Sequence, residues 1–330
     1  MKPPAFWFSD PAQPGLAARI LSPLSRICKA ATAARVARPA DFRPGIPVIC
    51  VGNLTVGGAG KTPTVVALAQ RLSARGHAAH ILSRGYGGTL AGPVQVSERH
   101  HQASDTGDEP LLMAGFAPVW VARDRAAGAR AAVAAGAGVL LLDDGFQNPS
   151  VAKDLSIVVA DAATGFGNGL CLPAGPLREP VEAGLARADM VLTLGAPGEQ
   201  ATFLSRWGGA LNVPHVAGRL APLETGMDWA GLPVLAFAGI GRPEKFFATL
   251  RGLGAEVVRT VALDDHQPLS PGLLRRLGAE AGALGAQLVT TEKDAVRLPD
   301  ELRSQVLTLP VRLEIDDWAL LDAALGRIGL

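Results

Sequence analysis

Short apolar runs rich in β-branched residues alternate along this chain with stretches whose apolar positions recur every three or four residues, a pattern that predicts strands alternating with helices. The first run, 46–51, is followed by a glycine-rich segment and a helical stretch over 63–75. Runs at 78–82 and 139–142 predict two further strands, with a helix over 111–116 between them. After about residue 225 the alternation restarts, with strands expected over 233–238, 256–263, 287–291 and near 306–315, and helices over 243–253, 271–284 and 317–325. Such repetition builds parallel sheets covered by helices. It divides the chain into a larger α/β domain over 45–225 and a smaller C-terminal α/β domain over 226–330.

The first 44 residues follow a different pattern. Leu16, Ile20, Leu24, Ile27 and Ala31 recur at helical spacing, and Ser22-Pro23 reads as an N-cap and first-turn pair. That pair restarts or kinks the helix, as a hairpin or a broken helix, and Lys2, Arg19, Arg26, Lys29, Arg35, Arg38 and Arg43 stand against Asp10 and Asp41, a local +5 in a chain whose net charge is +1. Such a basic amphipathic segment, preceded by Phe6-Trp7-Phe8, either docks on the protein's own core or lies in a membrane interface with its cations on anionic headgroups.

Composition narrows the classes. With 48% hydrophobic and 18% charged residues the chain is globular rather than disordered, and its near-neutral charge gives no footprint for nucleic acid. Cys28, Cys50 and Cys171 are far apart, with no metal-ligand spacing, which points to a reducing compartment; no secretory signal is expected. The longest runs without a polar side chain, Leu111–Ala122 and Ala131–Leu142, have 12 residues each, short of the roughly 20 needed to span a bilayer.

The chemistry begins after the first strand. Thr55-Val56-Gly57-Gly58-Ala59-Gly60-Lys61-Thr62 lies between a strand and a helix, the context of a phosphate-binding loop. Its glycines let successive N–H groups face a phosphate, Lys61 supplies a point charge for the β/γ oxygens, and Thr62 offers a hydroxyl to Mg²⁺. Thr55 stands where the usual pattern has its first glycine. A parallel strand ending in Asp143-Asp144 supplies the other half of a Mg-nucleotide site; adjacent acids on an extended chain point opposite ways, so one is the metal ligand and the other has a different task. The expected fold is therefore a P-loop NTPase-like domain with a mostly parallel sheet, joined to the smaller α/β domain and the N-terminal helical segment.

Three further loops carry charge next to glycine or proline: Ser83-Arg84-Gly85-Tyr86-Gly87, Thr106-Gly107-Asp108-Glu109-Pro110, and 173–180 with Arg178 and Glu179. Asp108 reads equally as a charge favoured by a helix N-terminus, and the prolines as turn chemistry. Thr290-Thr291-Glu292-Lys293-Asp294 ends a strand of the second domain, with charges that face nucleotide or cap the next helix. On residues alone the reading stays open between a kinase, whether for a lipid or for a soluble sugar or cofactor, and a nucleotide-driven switch or assembly ATPase.

In chain order, VGNLTVGGAGKTP, SRGYGG, TGDEP, LLLDDGFQN, PAGPLREP, DDHQ and TTEKDAVRL resemble the tetraacyldisaccharide 4′-kinase (lipid A 4′-kinase) family over nearly the whole length. The resemblance implies transfer of the γ-phosphoryl group of ATP, with Mg²⁺, to the 4′-hydroxyl of a tetraacylated glucosamine disaccharide 1-phosphate. It also implies a place at the cytoplasmic face of the bacterial inner membrane, peripheral or monotopic, and no protein partner follows from it. By the same resemblance Asp108 is the general base and His266 the histidine paired with it, Lys61, Thr62, Asp143 and Asp144 carry over, and Arg84, Arg178 and Glu179 are site residues on the substrate side. Asn148, Gly88 and Gln267 depart from the family pattern, where a histidine, a basic residue and often a second histidine are usual.

Overall fold

The computed structural model describes residues 3–265 and 267–330. Among the described residues thirteen strands form two sheets. In chain order, β1 (Val48–Gly52), β2 (Ala79–Ser83), β3 (Val94–Gln95), β4 (Val119–Val121), β5 (Val139–Asp143), β6 (Leu155–Asp161), β7 (Met190–Leu194) and β8 (His215–Pro222) belong to the larger sheet. β9 (Pro233–Ala238), β10 (Glu256–Ala262), β11 (Gln287–Thr291) and β12 (Val306–Leu309) make the smaller, and β13 (Val311–Ile315) returns to the larger.

The larger sheet runs β13-β8-β7-β6-β1-β5-β2-β4-β3 and is parallel except at its two edges. Successive residues of one strand feed opposite cores: Ile49 and Val51 pack in one, Val48 and Cys50 in the other, all fully buried. A sheet covered on both faces needs such unbroken apolar strands. Helix α2 (Lys61–Ala74) covers one face with Val65, Leu68 and Leu72, and Arg71 and Arg75 on its outer side pair with Asp322 of the C-terminal helix Ala319–Arg327.

The smaller sheet, β10-β9-β11-β12, is wholly parallel, with its own apolar clusters against helices Pro243–Gly252 and Pro271–Ala283. The run expected as one strand near 306–315 is two strands, because Pro310 has no N–H to continue a ladder. β12 ends the small sheet, and β13 pairs antiparallel with β8 from Val311↔Pro222 to Ile315↔Gly218. The small sheet is thus an insertion between two strands, β8 and β13, that pair at one edge of the larger sheet. The last 20 residues, β13 included, pack on the larger sheet's side of the molecule.

The N-terminal segment corrects a second expectation. Helix α1 (Leu16–Val36) is continuous, with Pro23 inside it rather than at a break. Its lodged face is made of small residues: Ala18 is fully buried, and the buried Ser25 hydroxyl donates to the Cys171 carbonyl at 2.7 Å. Upstream, the Trp7 indole donates to the Pro173 carbonyl at 3.0 Å and the Asn168 amide to the Phe6 carbonyl at 3.0 Å. Leu16, Ile20, Leu24 and Ile27 all point outward, each more than half exposed. No helix among the described residues is long and apolar enough to cross a membrane.

Candidate active site

The site forms at the carboxyl ends of the parallel strands, where open α/β sheets bind ligands. β1 lies between β6 and β5, and its Val51 is in register with Asp143, which brings the glycine loop and the acid pair side by side. Gly57 and Gly60 adopt positive φ of 106° and 90°, and a Cβ at Gly60 would meet Leu194 Cδ1 at 2.2 Å, so that position admits only glycine. Lys61 and Thr62 then open α2, where unpaired N–H groups and the helix dipole favour a phosphate.

The loop is held from its far side. The Val56 N–H donates to the Pro176 carbonyl at 2.9 Å, the Arg178 N–H donates to the Leu54 carbonyl at 2.7 Å, and Thr55 pairs with Leu177 in an isolated bridge. The proline-stiffened segment therefore lies along the phosphate loop and delivers Arg178 to the acids. Arg178 donates from Nη1 to Asp144 Oδ1 at 2.8 Å, and Lys61 Nζ stands 3.8 Å from the same oxygen. Glu179, next in sequence, points away; only 3% exposed, it binds Arg187 and the Gln147 amide.

The two acids have different surroundings. Asp144 leaves the strand at φ 49°, a conformation Asp tolerates, and Arg125, itself buried, donates to its carbonyl at 3.2 Å. Burial raises the Asp144 pKa, but Lys61 and Arg178 outweigh it and hold the carboxyl below its usual range. Asp143 is 2% exposed; Ser83 donates to its Oδ2 at 2.9 Å, while its Oδ1 is buried with no hydrogen-bond partner. Burial first, and then Glu109, pushes Asp143 up to about 6 against the opposing pull of Lys61. A buried carboxylate oxygen without a donor is the feature a hard cation satisfies, and with the Thr62 hydroxyl it suits Mg²⁺.

A stability prediction follows from Asp143. Its folded pKa lies above the unfolded value of about 4, so the ionised form destabilises the metal-free protein at pH 7–8, and the penalty disappears as pH falls below that value. Asp143→Asn should stabilise the metal-free protein by about 1–3 kcal/mol at pH 8 while abolishing turnover. Thermal midpoints of parent and variant at pH 8 and pH 4 check this; equal midpoints at pH 8 count against it.

Asp108 starts helix Asp108–Ala114 directly after Gly107, is 5% exposed, and accepts from the Glu109 N–H at 2.9 Å. Its neighbours come from both sheets. Lys293 and Arg297, on the segment after β11, reach Glu109 Oε1 at 3.1 Å and Asp108 Oδ2 at 3.9 Å. Burial lowers the Lys293 pKa, but Glu109, Asp108 and Asp265 together raise it above its ordinary value. His266 lies outside the described residues; on either side of it, Asp265 approaches Lys293 at 3.6 Å and the Gln267 carbonyl accepts from Arg297 at 2.7 Å.

The remaining candidates fall into place around this edge. Arg84 is exposed at the end of β2. A Cβ at Gly88 would come within 2.5 Å of the Asp105 carbonyl oxygen and 2.7 Å of the Gly107 nitrogen, so a basic side chain cannot enter there unless the turn before Asp108 moves. Asn148 closes a turn by accepting from Ser150. Sequence reasoning passed over Ser83, Gln147 and Arg297. Each lies in a motif already singled out, SRGYGG, LLLDDGFQN and TTEKDAVRL, but its part in the site is set by contacts far along the chain.

The family model described as tetraacyldisaccharide-1-P 4′-kinase matches residues 17–328. A tetraacyldisaccharide 4′-kinase of Dinoroseobacter shibae is 63% identical over 329 residues, covering 99% of this chain and 98% of its own length. One from a Jannaschia species is 57% identical, covering 99% of both. Among solved structures, LpxK from Aquifex aeolicus in complex with ATP superposes with a TM-score of 0.75 at 26% identity, covering 96% of this chain and all of that one.

Proposed function

This chain belongs to the tetraacyldisaccharide-1-P 4′-kinase family, and we propose that the edge just described is where it moves the γ-phosphoryl group of ATP onto the 4′-hydroxyl of the acylated disaccharide. It is a kinase of lipid A biosynthesis that uses ATP and Mg²⁺. The observation that carries the site assignment is convergence: a glycine loop with Lys61, a buried carboxylate with one unpartnered oxygen, and Asp108 flanked by both sheets.

In phosphoryl transfer through a loose transition state, catalysis is mostly placement and electrostatic stabilisation. The N–H groups from Gly57 to Thr62 cradle the phosphates, and Lys61 follows the charge that develops on the oxygens of the transferred group. Asp143, with Thr62, would hold Mg²⁺, which would neutralise charge on the phosphate oxygens. Asp144 is held by Arg178 and stands 3.8 Å from Lys61 Nζ, so it draws on the lysine's charge until nucleotide arrives. Asp108 orients the acceptor hydroxyl and takes its proton late in the transfer. Arg84, exposed at the rim, suits the 1-phosphate or the leaving nucleotide.

The outward stripe of α1 supports an interfacial role at the inner-membrane surface. Large aliphatic residues on one exposed line, on a helix docked by its small residues, leave that line available to acyl chains. Purified protein with Mg-ATP should phosphorylate the acylated disaccharide 1-phosphate in anionic vesicles far faster than its deacylated form. Because Ile20, Leu24 and Ile27 are exposed, replacing all three by Gln should leave the fold and the deacylated rate intact while lowering vesicle partitioning about tenfold or more. Turnover of ATP with no phosphorylated lipid would point instead to a switch ATPase. Unchanged partitioning would assign α1 to docking alone.

A further inference from the structure

The segment after β11 presents one guanidinium whose donors are unequally satisfied. Fully buried Asp294 is itself pinned, its Oδ2 accepting from the Gly239 N–H at 3.0 Å and from the Thr291 hydroxyl at 2.7 Å. Its Oδ1 pairs with Arg297 Nη2, and Arg297 Nη1 donates to the Gln267 carbonyl at 2.7 Å. Two bonds fix the plane of the fork. The third donor, Nε–H, is buried without a hydrogen-bond partner and stands 3.9 Å from Asp108 Oδ2. An approach of about 1 Å would complete that bond, and buried donors are seldom left open.

Two cations from the segment after β11 act on Asp108. Lys293 divides its charge among Glu109 on the same helix as Asp108, Asp265 on the neighbouring loop and Asp108 itself, whereas Asp294 belongs to the guanidinium. What sets Arg297 apart is a fixed, buried Nε–H beside Asp108, and it comes from the inserted sheet, whereas Asp108 comes from the larger one.

We propose that Arg297 is a positioning residue for Asp108, its Nε–H fixing Oδ2 so that the carboxylate meets the acceptor hydroxyl in one orientation, and only while the segment after β11 is seated on helix Asp108–Ala114. This rests on the reading of Asp108 as the base. Arginine is required because a lysine ammonium cannot span Asp294, Gln267 and Asp108 at once.

The test is the pH profile of kcat and kcat/KM for the full chain with acylated disaccharide, for Arg297→Gln and Arg297→Lys beside Asp108→Ala. Arg297→Gln should lower kcat about 10- to 100-fold and move the acid limb up by about one pH unit, with the Kd for ATP within about twofold of the parent. Arg297→Lys keeps the charge and loses the fork, so its acid limb should stay near the parent's while kcat remains about tenfold down. An unmoved acid limb in folded Arg297→Gln, whether kcat is parental or falls together with ATP affinity and thermal midpoint, overturns the assignment and leaves a structural staple. Should the glutamine variant not fold, parental kcat in Arg297→Lys overturns it alone. Parental rates in Asp108→Ala defeat the base reading itself, a result distinguishable from failure of the arginine alone.

Discussion

Lys61→Ala should lose phosphoryl transfer by about 10³-fold or more while the protein stays folded. The lysine opens α2 with its side chain 11% exposed, so its ammonium is held against the glycine loop rather than free in water. In a partly desolvated cleft a charge that tracks the transferred group is worth far more than it would be in solvent. The fold should tolerate the change. Asp144 keeps Arg178 at 2.8 Å, and the Lys61–Asp144 separation of 3.8 Å is too long for a strong bond. Without the lysine's charge beside it, Asp144 should titrate higher than in the parent, though Arg178 still favours its ionised form. Transferred phosphate measured beside a thermal melt decides the matter. Activity within tenfold of the parent would remove the glycine loop from the mechanism.

What could be read in advance was whatever rests on short-range order. The strand at Val48–Gly52, the glycine loop and the strand ending in Asp143 are local patterns, and each forms where its residues predict it. The parallel neighbourhood of β1 and β5 followed from one physical rule about where ligands sit on open sheets. Three features depended on partners far along the chain and were not legible. The docking of α1 through Ala18 and Ser25, with its aliphatic stripe outward, requires the 168–176 loop to lie beneath it, and nothing in a helical stripe says which face is lodged. The return of β13 to the larger sheet turns on β8 having a free edge, which Pro310 reveals only once the small sheet is seen to end at β12. Ser83 and Arg297 lie in motifs that the sequence singles out, but what each does is set by tertiary contacts, the Ser83 hydroxyl on Asp143 and the Arg297 guanidinium among Asp294, Gln267 and Asp108, which no local pattern reveals.

Asp108 and His266 should behave as one unit, so that Asp108→Ala and His266→Ala each lower kcat by about 10²-fold or more and the double variant is little worse than the poorer single one. The case for Asp108 is geometric: a carboxylate 5% exposed, at the start of a helix, flanked by Glu109 on its own side and by Lys293 and Arg297 from the inserted sheet. For His266 the case is the family motif together with its flanking residues, since Asp265 and Gln267 both contact the segment that reaches Asp108. If the histidine orients the carboxylate or tunes its basicity, removing it from a protein that already lacks the carboxylate costs almost nothing. ATP affinity should survive in all three variants because neither residue belongs to the glycine loop, and retained affinity also shows that the larger sheet has kept its form. Losses that multiply in the double variant would separate the two residues and leave His266 a role in holding the disaccharide. An unchanged rate in Asp108→Ala would move the base elsewhere on the same edge, with Glu109, the carboxylate next to it in the chain, the first to replace by Gln.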